Sequence, residues 1–182
     1  MIVAALCWYD EPTANLRRCV LSLEGIATTL VALDGRWQHM PGESHGSPPG
    51  QAEEIHQAAR EIGIEHGIWL CEETWLSQVA KREALMHIAG RYGHQPWILV
   101  IDGDEEVTDS NPPGLHHALA HTGADVATVS GRRAGHHIRP GARPIRRLYR
   151  TSTGVTVANA HNGYVTSDGR YLHGDPAFVR LE

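Results

Sequence analysis

The sequence is short of cysteine, of positive charge and of long apolar runs, and each shortage removes a class of function. Its 182 residues include three cysteines, Cys7, Cys19 and Cys71, widely separated and without CxxC spacing. That pattern makes neither a disulfide framework nor a thiolate zinc site. The three read as small buried hydrophobes of a reducing, cytoplasmic protein. Acids outnumber bases, 21 Asp and Glu against 16 Lys and Arg, for a formal net charge of −5 and a pI near 6.2. An acidic chain lacks the broad basic footprint of a nucleic-acid binder, so a nucleic-acid partner is not expected. No stretch approaches the roughly 20 apolar residues of a membrane helix, so no membrane insertion is expected either. The apolar start, residues 2–7, has no basic flank before it and does not read as a signal peptide. Internal repeats and low-complexity tracts are also missing.

What is present is ordinary globular composition, 41% hydrophobic and 20% charged. A chain this long can bury roughly 70% of its unfolded surface and needs no staple. One domain over residues 1–182 is expected, with a change of pattern near residue 107. "IVAALC" (2–7) reads as a buried strand. Leu16, Cys19, Val20 and Leu23 stand at i, i+3, i+4 and i+7, one face of a helix with Pro12 near its start and Gly25 at its stop. "ATTLVALDG" is a β-branched strand ended by Asp34-Gly35. Residues 36–50, without periodicity and with several Gly and Pro, read as a mobile loop. A helix follows over 51–65, with Ala52, Ile55, Ala59 and Ile62 inward. Then come a strand "GIWLC", a helix capped by Thr74 or Ser77, and a strand "WILVI".

This β-α-β-α-β-α-β rhythm predicts an α/β fold, a Rossmann-related α/β/α sandwich whose mixed sheet is mostly parallel. After residue 107 a helix fits 112–121 and a strand 125–130. The remainder alternates and is rich in turns, which predicts a β-rich C-terminal part. Ligands of such sheets bind at the carboxyl ends of the strands. Tyr9-Asp10-Glu11, Asp34 and the acidic run of "WILVIDGDEEV" all stand at such ends.

That run places Asp102, Asp104, Glu105 and Glu106 directly after a hydrophobic strand. Neighbouring carboxylates in a partly buried crevice are costly unless a cation neutralises them. A hard divalent ion with oxygen ligands, Mn²⁺ or Mg²⁺, meets that need and commonly shares one or two carboxylates with substrate phosphates. Gly103 would let a ligand approach the backbone. The expectation is a metal ion carrying a diphosphate. By itself a D-x-D is a weak motif, and acids solvated beyond a strand are the plainer reading. Residues 131–150 carry seven Arg and no acid. They form either a basic face for a phosphate-bearing ligand or a solvated edge.

In their order, "CWYDEP", "LRRCVLSL", "TLVALDG", "KREALMHIA" and "WILVIDGDEEV" resemble the segments of family 2 glycosyltransferases of the GT-A fold. The resemblance covers about residues 1–110. It implies a metal-dependent transfer of a sugar from a nucleoside-diphosphate sugar to an acceptor, with uridine diphosphate favoured by family habit. Residue by residue, it puts Tyr9 on the base and Glu11 at the border of the nucleoside. Asp10 stands where the family often has Asn. Asp34 would bond the base edge, and Lys81 or Arg82 would face the diphosphate. Asp102, with Gly103 beside it, would lie near the ribose and metal, and Asp104 would ligate the metal. In the second half, "RPIRRLYR" and "GVTVANAHNGY" resemble the Arg-rich strand and the later "VHE"-type turn of some members. His161 would then complete the metal shell, with His173 as its rival. Asn162 replaces the family's acid. The plainer readings are an aromatic packed at a strand end for Tyr9 and an exposed helix residue for Lys81.

The implied metal stabilises the charge of the departing nucleoside diphosphate, helped by Lys81, Arg82 or Arg147. An inverting enzyme also needs a carboxylate base, and Asp109, Asp168 and Asp175 are candidates that nothing separates. The chain is short for the family, so the acceptor site is expected to be shallow or supplied by a partner or by another subunit of a homo-oligomer. Three other classes compete. A metal-dependent phosphatase would have its D-x-D after the first strand, not the fourth. A nucleotidyltransferase would have a Gly-rich loop after strand one, which "CWYDEPTANLRR" lacks. A non-catalytic binding module would hold a nucleotide sugar without turning it over.

Overall fold

The computed structural model describes residues 1–92, 97–108, 111–128, 131–133, 146–154, 156–159, 163–165 and 179–180. Its elements run β1 (Ile2–Cys7), α1 (Thr13–Leu21), β2 (Thr29–Leu33), α2 (Pro49–Glu61), β3 (Glu65–Trp69), α3 (Gln78–Gly90), β4 (Trp97–Asp102), β5 (Glu105–Val107) and α4 (Pro112–His121). There follow β6 (Val126–Thr128), β7 (Gly131–Arg133), β8 (Arg146–Arg150), β9 (Thr156–Asn159), β10 (Gly163–Val165) and β11 (Val179–Arg180). Among the described residues the main sheet has seven strands in the order β11-β6-β8-β4-β1-β2-β3. β1 pairs in parallel with β2 and β4, and β2 with β3, while β8 runs antiparallel between β4 and β6. This is the mostly parallel, mixed α/β sheet that the strand–helix rhythm predicts.

β1 is buried on both faces. Ile2, Ala4 and Leu6 join a core with Leu16, Cys19 and Val20 of α1 and Ile55, Ala58 and Ala59 of α2. Val3, Ala5 and Cys7 join a second core with Leu85, Met86 and Ala89 of α3. A strand covered on both sides shows no polar alternation, which is why "IVAALC" is a continuous apolar run.

Element boundaries differ from the sequence reading for local reasons. α2 starts at Pro49, two residues before the expected 51, because proline is suited to the first turn of a helix. It stops at Glu61, short of 65, because the chain turns through Gly63 at φ 69°. β3 therefore spans Glu65–Trp69 and not 67–71, in register from Thr29↔Glu65 to Leu33↔Trp69. Of the expected strand 125–130, β6 covers Val126–Thr128, and residues 129–130 lie outside the described ones. Ser77, not Thr74, caps α3, its hydroxyl accepting from the Ala80 amide at 3.1 Å. Thr74 meets His45 Nδ1 at 2.7 Å instead. Ser77→Ala should cost about 1 kcal/mol, read in a thermal melt as a fall of roughly 2–4 °C for a domain of this size. An unchanged melting temperature would show that the cap contributes nothing.

Residues 36–48 are not a loose excursion. The Arg36 amide donates to His45 O (2.8 Å), Trp75 N to Arg36 O (2.8 Å) and Gln38 N to Trp75 O (2.9 Å). Trp37 and Trp75 form a parallel bridge. Among the described residues no helix is long and apolar enough to cross a membrane.

Candidate functional site

The strand order places β2 and β3 on one side of β1 and β4 on the other, so the direction of winding reverses between β1 and β4. Such a switch point opens a crevice beyond the carboxyl ends of the strands. Register brings the predicted residues to it. Cys7, the last residue of β1, pairs with Leu33 on one side and with Asp102 on the other. The Gly103 amide donates to Cys7 O (3.1 Å), and Trp8 N donates to Leu33 O (3.3 Å). Tyr9 and Asp34 thus lie one or two residues past their strand ends, beside Asp102 at the end of β4.

Part of the repulsion in the acidic run is offset by the protein itself. Arg82 Nη2 lies 2.8 Å from Asp102 Oδ1 and 3.0 Å from Oδ2. The pair is largely enclosed, with side-chain exposures of 4% and 20%. Glu105 accepts from the Asp102 amide (3.0 Å), and Glu106 pairs with Arg18 (3.0 Å). β5 runs antiparallel to β7, with Glu105 in register with Arg133 and Glu106 with Arg132. A Cβ on Gly103 would stand 2.8 Å from Leu16 Cδ2 and 3.1 Å from Glu11 Cγ. The glycine lets this turn pack against Leu16 of α1 and against Glu11 and Trp8, where a side chain would not fit. Asp104 is half-buried at the turn.

Among the described residues, no three His, Cys, Asp or Glu side chains converge closely enough to hold an ion by themselves. Asp109, Asp168 and Asp175, the candidate bases, and His161 and His173, the candidate ligands, lie outside the described residues. Arg147 lies on β8.

Lys81 and Arg82 both point inward from α3, which corrects the reading of Lys81 as an exposed helix residue. Lys81 is fully buried, its Nζ donating to Trp8 O (2.5 Å) and Gly35 O (2.6 Å) and lying 5.8 Å from the centre of the Trp37 ring. It ties the turn after β1 to the turn after β2. Gly35 takes φ 115°, and a Cβ there would stand 2.8 Å from Trp75 Nε1. The same indole donates to Asp34 O at 3.1 Å. Burial raises the Cys7 thiol pKa against the lowering influence of Lys81. Burial, with the nearby acids Glu105, Asp102, Asp104 and Glu106, pushes Cys19 well above its ordinary value. Burial therefore disfavours the reactive thiolate form at both positions.

Tyr9 and Asp34 are closed off by the 36–48 segment. The Ser47 amide donates to Asp34 Oδ2 (2.8 Å) and its hydroxyl to Oδ1 (2.6 Å). The Tyr9 hydroxyl donates to Ser44 O (2.9 Å). Tyr9 retains 6% of its surface and Asp34 2%. Asp10, with φ 50°, donates its amide to Ser47 Oγ (2.9 Å). Gln51 Oε1 accepts from the Glu11 amide (3.2 Å). Sequence reading missed Ser47 and Gln51, whose only signal was their place beside a Pro-Pro helix start.

No family model matches the chain, and no curated protein matches it. Among solved structures it is similar to S. aureus TarS 1-349, at a TM-score of 0.57 and 10% identity over 85% of this chain and 48% of that one. TarS 1-349 in complex with UDP gives 0.56 at 12% identity, covering 84% and 47%. In complex with UDP-GlcNAc it gives 0.53 at 12% identity, covering 85% and 46%. The fold is shared, and the chain spans about half the length of these TarS structures.

Proposed function

We propose that this chain binds a nucleoside-diphosphate sugar at the crevice between β1 and β4 and transfers the sugar to an acceptor, as a glycosyltransferase. The observation that carries the reading is the convergence of Tyr9, Asp34 and the Asp102–Asp104 turn on one switch point, in a fold shared with a protein whose structures hold UDP and UDP-GlcNAc. In this reading Asp34 accepts from the base edge and Tyr9 lies against the base. Asp104, with Asp102 behind it, would hold a Mn²⁺ or Mg²⁺ ion. The bound ion supplies electrostatic stabilisation of the leaving phosphates. Arg82 holds Asp102 in one orientation and lowers the cost of its charge. Lys81 keeps the two nucleoside-facing turns at a fixed separation.

Asp104→Asn should reduce metal-dependent UDP affinity at least tenfold with little change in the thermal melt, since a half-buried carboxylate at a turn can lose its charge without opening the core. Calorimetric titration of UDP with Mn²⁺, and again with chelator, reads this directly. Wild-type affinity in the variant would remove Asp104 from the metal site. Release of free sugar or its transfer from UDP-GlcNAc separates a transferase from a binding module.

A further inference from the structure

We propose that residues 39–48 form an internal strap that occupies the nucleoside pocket, and that a nucleotide enters by displacing it. The inference rests on the nucleoside-diphosphate reading above and adds how that site is opened. Asp34 presents two carboxylate oxygens at the end of β2, and both are already taken by one residue of the strap. Ser47 supplies an N–H at 2.8 Å and an O–H at 2.6 Å. A carboxylate that reads a base accepts the same kind of polar hydrogens, so Ser47 stands in for a base edge. Tyr9 is occupied as well: its hydroxyl donates to Ser44 O at 2.9 Å, and Gly42 lies against its ring.

The strap is shaped for this seat. Where it crosses Tyr9 it has Gly42 at φ 135°, and a Cβ there would stand 3.1 Å from Tyr9 Cζ. Where it crosses Asp34 it has Gly46, whose Cβ would stand 2.9 Å from Asp34 Oδ2 and 3.3 Å from Cys71 O. Two glycines at the two points of contact allow an approach that any side chain would block. Arg36 holds the near end by donating to Gly42 O. With Asp34 and Tyr9 at 2% and 6% exposure, no base reaches either while the strap is seated. The closed form therefore reduces apparent nucleotide affinity by the fraction of molecules that are open.

The test compares UDP titrations, with Mn²⁺, of the wild-type chain, Ser47→Ala and Gly42→Ala, together with hydrogen exchange of amides 42–48. Ser47→Ala removes the hydroxyl donor to a charged acceptor and should tighten UDP binding about tenfold. Gly42→Ala drives a Cβ into Tyr9 and should tighten it similarly. Saturating UDP should speed exchange of the Ser47 amide in the wild-type chain, because Asp34 no longer accepts from it. UDP binding with equal or weaker affinity in both variants overturns the strap while leaving the nucleotide reading intact. Slower exchange of the Ser47 amide with UDP overturns it too, since the strap would then clamp the ligand. No UDP binding to any of the three chains overturns the strap and the nucleotide reading together.

Discussion

Lys81→Met should lower the melting temperature by about 10 °C and abolish nucleotide binding. The methionine keeps most of the volume and removes the donor. Trp8 O and Gly35 O are then left in the core beside a thioether. Each unsatisfied buried acceptor costs about 1–3 kcal/mol. The loss is partly offset because the variant no longer buries an ammonium group. A net cost of about 3 kcal/mol, at roughly 2–4 °C per kcal/mol for a domain of this size, leads to the stated shift. Binding suffers separately, because the tie runs between the turn that carries Tyr9 and the turn that carries Asp34. Thermal melts followed by circular dichroism, with UDP titration well below the midpoint, read the two effects apart. A shift under about 2 °C would mean that the carbonyls find other donors.

Arg82→Met should destabilise the chain by about 2–4 kcal/mol, somewhat below the usual cost of breaking a fully buried ion pair because Asp102 keeps partial contact with solvent. Its effect should be largely reversed by Asp102→Asn in the same chain. The single variant leaves a carboxylate in an enclosed crevice, among Asp104, Glu105 and Glu106, without its guanidinium. Neutralising that carboxylate removes the cause of the loss. Urea unfolding of the wild type, both single variants and the double variant closes a thermodynamic cycle around the pair. A double variant no more stable than Arg82→Met would show that the arginine acts through packing and not through charge.

The four carboxylates at and beyond the end of β4 illustrate how far a sequence can be read. Their spacing and place after an apolar strand are visible in one dimension, and so is the need for compensating charge. Part of the compensation comes from Arg82, 20 residues away in the chain, and from Arg18, 88 residues away from its partner Glu106. No local pattern marks these pairings. Lys81 and Arg82 adjoin in sequence, yet one clasps two carbonyls and the other an acid, because the inner side of α3 passes over both strand-end turns. Tyr9 and Asp34 were legible as strand-end residues. Their cover by Ser44 and Ser47 was not, because a stretch rich in Gly and Pro carries no periodic signal of what it touches.

By itself the sequence determined the alternation of strands and helices, the double-faced burial of β1 and the carboxyl-end location of the polar residues. These follow from hydrophobic spacing, which records burial residue by residue along each element. Tertiary structure alone decided which cation meets which acid, that Gly103 serves packing on α1, and that residues 36–48 lie over Tyr9 and Asp34. Each of those depends on register between distant segments and on the fit of close-packed atoms. Charge partners and steric clearances are properties of pairs brought together by the fold, and a one-dimensional pattern does not encode the separation of a pair in space.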